Sequence, residues 1–418
     1  MKNAAISSLL VSGAAAFPFV AMQPGVDSSL FKRQQAGVGP GSAATCPFNP
    51  NHKPAAPVTE EYPYNNAKDG KVGNRKGGYQ VPAPGDTAHY FVPPNPDTDI
   101  RGPCPGLNAA ANHNFLAHDG ITTFSELVDA QQNVYNVDYD LANLLAVLGL
   151  TITDGDLVTE KLSIGCDATS RTSFSPALTG SEPGLDGHNK FEADTSLTRN
   201  DFFTGGGDNY NFNGTLFGYM ADACDGNFNR ENLGKYREQR YLQSRAENPN
   251  FYFGPFSLLL FGAASFLYEL MPSGTRNYAP DLYTISSFFG AVQQDDGSWT
   301  FGEGEKIPDN WTNRVEPYSN SDVTREIVTM YLVAPVLFGG STGPNTFNAI
   351  DFESIQDGTL NVGVNPADTS CLLYQLATER VPSYLNSVVT PTVEALSFVA
   401  SKLDPMFENL GCPRPLTK

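Results

Sequence analysis

Positive charge is scarce in this 418-residue chain. Lys and Arg total 26 against 45 Asp and Glu, a formal net charge of −19. Residues 1–33 hold Lys2, Lys32 and Arg33 against Asp27, a net of +2, so a chain starting at Gln34 would carry −21. Such acidity argues against nucleic acid or an anionic membrane as a partner. Charge of either sign is sparse too, at 17% of residues, so the surface must draw on Asn, Ser, Thr and Gln, as extracellular proteins often do. No apolar run long enough to span a membrane stands out. The stretch from Ala4 to about Ala21, behind Lys2, is shorter than the ~20 apolar residues a span needs and fits a secretion signal over residues 1–21. Internal repeats are absent. Gly205-Gly206-Gly207-Asp208-Asn209 lacks the Gly-Lys-Ser/Thr ending of a phosphate loop and reads as a turn.

Hydrophobic residues reach 40%, enough to bury a sizeable core in one large domain or two modest ones. The dibasic pair Lys32-Arg33 reads as a processing site that would end a pro-segment at 22–33. Residues 34–99 are rich in Pro, Gly, Asn and Ala, with no sustained period. They read as an extended arm wrapped on the body, or as partly disordered. Helical spacing begins after Pro105, over Leu107–Leu116, Thr123–Leu150, Gly214–Ala223, Asn232–Glu247, Phe256–Leu270, Val323–Leu337 and Val393–Leu403. Thr123, Ser125 and Glu126 supply cap chemistry. Strand signals are short, at Val158–Ile164 and Ser298–Phe301. The expected fold is mainly α, with residues 100–418 as one domain. The sequons at Asn213 and Asn310 fit glycosylation of a secreted protein, and six cysteines allow disulfides there.

Cys104 lies between Pro103 and Pro105, directly before a helical pattern. Pro105 suits the first turn of a helix, and a sulfur at that N-terminus meets amide N–H groups and the positive end of the dipole. Both favour a thiolate, which is a metal ligand. A turn holding a free or bridged cysteine fits the tripeptide equally well. The clustered oxygens of Phe191-Glu192-Ala193-Asp194-Thr195-Ser196-Leu197-Thr198-Arg199 read either as a capped helix start or as a hard-cation site. Glu192 and Ser196, four apart, would share one face of a helical turn.

Pro103-Cys104-Pro105-Gly106-Leu107-Asn108, Ala111-Asn112-His113 and Asp119-Gly120 resemble the proximal signature of the fungal haem-thiolate peroxidases, the chloroperoxidase and peroxygenase family. The likeness continues through Leu162–Gly165, Phe191–Arg199, Asp208–Asn213, Asn248–Phe251 and Cys371–Tyr374, and matches poorly from Ser273 to Asp351. It implies a single-domain chloroperoxidase-like fold and haem b bound through Cys104, whose thiolate would favour O–O cleavage. It also implies Mg²⁺ held by the Glu192 carboxylate, the Ala193 carbonyl and the Ser196 hydroxyl, with Arg199 neutralising charge nearby. Ala193 stands where relatives carry His or Gly. Channel positions fall on Phe191, Val137 and Leu267, and a bridge is implied between Cys371 and Cys412. His113 becomes a structural residue of the proximal loop. His52, His89, His118 and His188 are left as surface residues, and Cys46, Cys166 and Cys224 without a role.

The resemblance fails at one place. Long peroxygenases carry a distal Arg and, seven residues later, a Glu that moves the peroxide proton. Those positions fall here on Ser257 and Ala264, and a one-residue slip would give Ser265. Glu269 is the remaining acid on that segment. The expected activity is oxygen transfer or one-electron oxidation of small apolar or aromatic compounds with a peroxide. Isomerisation or dehydration of an organic hydroperoxide, a biosynthetic role, and non-catalytic haem binding are the alternatives.

Overall fold

A computed structural model describes residues 46–403, apart from 153–154, 175–183, 189–190, 342–345, 352–353, 362–368, 372 and 374–400. The expected signal and pro-segment lie outside the described residues, as do Cys412 and most of the Val393–Leu403 pattern. Helices dominate, as expected. They are α1 Pro105–Asn112, α2 Phe124–Tyr135, α3 Tyr139–Ile152, the single turn α4 Thr169–Thr172, α5 Gly214–Cys224, α6 Arg230–Glu247, α7 Leu259–Glu269, α8 Leu282–Phe288 and α9 Asn320–Tyr331.

The strands are two or three residues long. Antiparallel β1 Ile121–Thr123 and β2 Lys161–Ser163 pair Ile121 with Ser163. A hairpin joins β4 Ala291–Gln293 to β5 Trp299–Phe301. β3 Tyr252–Phe253 pairs with β6 Gly339–Gly340, which pairs with β7 Asn348–Ala349. The last two, β8 Ile355–Gln356 and β9 Thr359–Leu360, form a further antiparallel pair.

The helical pattern over Thr123–Leu150 is two helices. Asn136 takes a left-handed conformation, φ 52°, and stops α2. Asn tolerates that conformation better than most residues. Its side-chain amide donates to the Arg314 and Val315 carbonyls. At the other end the cap chemistry is a full capping box: the Thr123 hydroxyl accepts from Glu126 N–H, and Glu126 accepts from Thr123 N–H. Phe256–Leu270 also divides, into a 3₁₀ turn Pro255–Leu258 and α7.

The Pro/Gly-rich segment is an arm wrapped on the body. Its backbone hydrogen bonds go partly to side chains of α2 and partly to distant backbone carbonyls such as those of Asn114, Arg314 and Trp311, so no regular period is needed. Ala67, Gly70 and Gly73 donate to Asn133, Asp129 and Gln132. Tyr64, Val81 and Ala83 of the arm enter the main core. A disulfide between Cys46 and Cys166 ties the arm's described start to the segment after β2. Cys371 is disulfide-bonded as well. Cys224 is free and buried, and burial pushes its thiol up to about 12.

Three histidine assignments change. His89 is buried between the Asp86 carboxylate and the Ala56 carbonyl. His188 is buried against the ring of Phe202. His118 is half-buried and pairs with Asp99. His52 alone is exposed, and it meets Asp119. His113 is buried, with His89 O at Nδ1 and Ile307 N–H at Nε2.

Candidate functional site

A cavity, of which about 230 Å³ is open to the centre of a water molecule, lies between α1, α3 and α7. Cys104 is on its wall, a free thiol and the N-cap of α1. The loop before α1 is clamped at successive backbone groups. Gly102 N–H donates to Asn108 Oδ1, and Asn108 Nδ2 returns to Gly102 O at 2.8 Å. Gly102 is needed, since a Cβ there would meet the Ile164 carbonyl at 1.9 Å. Arg199 Nε donates to Pro103 O at 3.2 Å, and Tyr135 Oη to Gly106 O at 2.7 Å.

Glu305 completes this clamp. Its Oε1 accepts from Arg199 at 3.2 Å and from Asn108 at 3.0 Å, all three being buried. Sequence reasoning missed Glu305, which lies in the poorly matched middle of the chain, where no period or motif marks it. Arg199 was expected to serve the acidic loop. The structure gives it instead to the cysteine loop, with the Glu192 charge acting on it only at longer range.

The thiol does not behave as its helix position alone suggests. Burial pushes it up, and this outweighs the Leu107 and Gly106 amides and Arg199, which pull it down. Neither amide reaches the geometry of a cap hydrogen bond to the sulfur. A half-buried sulfur facing a cavity becomes a thiolate when a cation binds it.

The acidic loop is a run of turns, not a helix, because Thr195 adopts φ 74°. Glu192 and Ser196 nevertheless both reach the cavity. Ala193 is buried and not on the cavity wall. Two arginines of α6 hold the loop. Arg237 donates to the carbonyl and hydroxyl of Thr195, and Arg240 to the Ser196 carbonyl and to Asp201. Glu192 Oε2 accepts from Asn209 at 2.8 Å, while Oε1 is buried with no partner. Burial pushes this carboxyl well up. Among the described residues no three His, Cys, Asp or Glu side chains are grouped to hold a metal ion. The expected Mg²⁺ set contains only one such side chain.

The opposite wall is apolar. Leu259, Leu260, Ala263, Phe266 and Leu267 of α7, with Leu270 just after it, face the cavity, joined by Phe191, Val137 and several leucines of α3. Ser257 and Ala264 are not on this wall. Both are buried elsewhere, Ser257 in the 3₁₀ turn and Ala264 in the core. Ser265 is buried and donates to Gly262 O. Glu269 is ion-paired with Arg314 at 2.6 Å, away from the cavity. The last candidate acid of this segment is thereby removed, and α7 brings no acid or base to the site.

The sequence model described as "Peroxidase, family 2" matches residues 89–316, more than half of the chain. This chain belongs to that family. An aromatic peroxygenase of Cyclocybe aegerita is 31% identical over 340 residues, 78% of this chain and 81% of that one. "Aromatic peroxidase fscJ" of Fusarium equiseti is 29% identical, covering 78% of each chain. "Dothistromin biosynthesis peroxidase dotB" of Dothistroma septosporum is 28% identical, covering 76% of this chain and 79% of that one. The protein is therefore an oxidoreductase of the haem-thiolate peroxidase type, and the family implies haem iron. The residues fit such a group: a free cysteine and apolar side chains line one cavity, and a buried carboxylate oxygen stands open at its edge.

Proposed function

We propose that this peroxidase is secreted and oxidises small apolar or aromatic molecules with a peroxide. The observation that carries the reading is a free Cys104 on the wall of an otherwise largely apolar cavity. When bound, haem supplies the iron at which peroxide O–O cleavage occurs. Cys104 would hold that iron, with its loop fixed by Asn108, Arg199 and Tyr135. Phe191, Val137 and Leu267 would exclude water and select apolar substrates. Glu192, with Ser196 and the Ala193 carbonyl, would hold Mg²⁺. The open Oε1 of Glu192 supports that role. The Cys46–Cys166 bridge supports secretion, because such bonds persist in oxidising compartments.

A second reading has its own observation. No acid or base from α7 reaches the cavity. An organic hydroperoxide enters apolar surroundings more readily than hydrogen peroxide does. Isomerisation or dehydration of such a hydroperoxide, in a biosynthetic pathway as in the relative named for dothistromin, would use this wall. The carbon monoxide spectrum of the reduced protein tests the shared premise. A strongly red-shifted Soret band is expected, lost in Cys104→Ala. Turnover with hydrogen peroxide and with cumene hydroperoxide then separates the readings. Preference for the organic peroxide, with no oxygen transferred to a second molecule, would favour hydroperoxide rearrangement.

A further inference from the structure

Arg237 sits on α6, is 2% exposed, and lines the cavity. Its two terminal nitrogens donate to Thr195 O at 2.5 Å and Thr195 Oγ1 at 2.9 Å. Its Nε has no partner. The guanidinium also lies over the Phe261 ring, 5.1 Å from its centroid. Among the described residues no carboxylate pairs with it. The nearby acids are engaged elsewhere. Asp201 takes Arg240 and Thr195 N–H, Asp194 takes Asn248 and Tyr252 N–H, and Glu192 takes Asn209. Burial lowers the guanidinium to about 9, and the like charge of Arg240 adds to this.

A buried cation without a counter-ion is costly, and buried charges are ordinarily paired. Thr195 offers dipoles but no negative charge. The missing charge is therefore one that arrives with a ligand. An Arg fork suits a carboxylate in particular, through planar charge-assisted bonds.

We propose that Arg237 is the anion-binding group of this cavity and takes a carboxylate carried by what the cavity binds. The carboxylate has two sources, an acid group of the haem itself or the acid group of an organic substrate. The proposal rests on the cavity being the haem and substrate site. It adds a group that the acidic loop and the apolar wall do not supply. Arg237 acts here by binding, and moves no proton.

The test uses the holoprotein of the full chain. Haem transfer to excess apomyoglobin is timed for wild type, Arg237→Met and Arg237→Lys. A haem source predicts release at least about tenfold faster in Arg237→Met, since a lost bond to a charged group weakens holding by that order, with Arg237→Lys between. A substrate source predicts unchanged release. Hexanoate would then shift the Soret band of wild type but not of Arg237→Met, and hexan-1-ol would affect both alike. Unchanged release together with an unchanged hexanoate response overturns the proposal. Should Arg237→Met not fold, wild type gives the same answer. Protein loaded with the dimethyl ester of haem, whose acid groups are blocked, should release it about tenfold faster than haem. Equal release, with no preference for hexanoate over hexan-1-ol, overturns the proposal. A wild-type protein with no Soret band would instead sink the proposed function, and hexanoate binding by calorimetry would still test Arg237.

Discussion

Around Cys104 the chain leaves the sulfur on a cavity wall and buries the ion pair that fixes its loop. Arg199 and Glu305 are each all but inaccessible, and burial pushes the Glu305 carboxyl up and the Arg199 guanidinium down. Each partner opposes the other's shift. Such a pair is weak as a source of stability, yet breaking it from one side leaves an uncompensated charge. Arg199→Met should therefore cost about 3–5 kcal/mol in denaturant melts. Adding Glu305→Gln should recover part of that loss, because the stranded carboxylate is then gone. A double variant no more stable than Arg199→Met would refute the pairing. Neither Glu305 nor Arg237 was legible in the sequence. Each is a single polar residue whose meaning comes from a neighbour far along the chain.

At the level of the helix, α7 decides what chemistry its wall can do. Apart from Ser265, Tyr268 and Glu269 its residues are apolar or small, so the composition implies burial but not which side meets the cavity. An uninterrupted helical register through this segment would place the acid and base positions at Ser257 and Ala264. The 3₁₀ turn at Pro255–Leu258 winds more tightly than an α-helix and changes the facing residues after it. Ala263, not Ala264, is open to the cavity. Ala263→Glu should therefore raise hydrogen-peroxide turnover, by the factor of about 10²–10⁴ that a positioned acid–base group supplies if its geometry is good. Ala264→Glu would bury an unpaired carboxylate and should cost more than about 3 kcal/mol without raising turnover. Equal effects of the two in parallel kinetics and melts would show this register to be wrong.

Across the whole molecule, the arm is held by hydrogen bonds to α2 and to distant backbone carbonyls, by Tyr64, Val81 and Ala83 in the core, and by one bridge. Cys46 and Cys166 are 120 residues apart, a long loop to close. Cys46→Ser should lower stability by about 2–5 kcal/mol. An unchanged melting temperature under non-reducing conditions would count against this. The arm also packs His89 on His113, whose burial lowers it to about 4. A histidine with a depressed folded value is neutral in the fold and charges more readily when unfolded. Its contribution is intact above about 6.5 and is lost as pH falls toward about 4. Stability should drop across that window by something like 3 kcal/mol from this residue. His113→Gln should flatten the acid side of a stability-against-pH curve, and an unchanged slope would exclude His113 as its source.

The sequence by itself determined the elements and the cysteine. The mainly helical fold, the capping box at Thr123 and the Pro-flanked Cys104 before α1 all depend on residues near one another, where spacing and local hydrogen bonding suffice. Tertiary structure alone decided the rest. It paired Cys46 with Cys166, gave Arg199 to the Pro103 carbonyl and Glu305, turned Ala264 into the core, and put Arg237 on the cavity wall with no carboxylate partner among the described residues. Those outcomes depend on burial and on partners distant in sequence, and a local pattern carries neither.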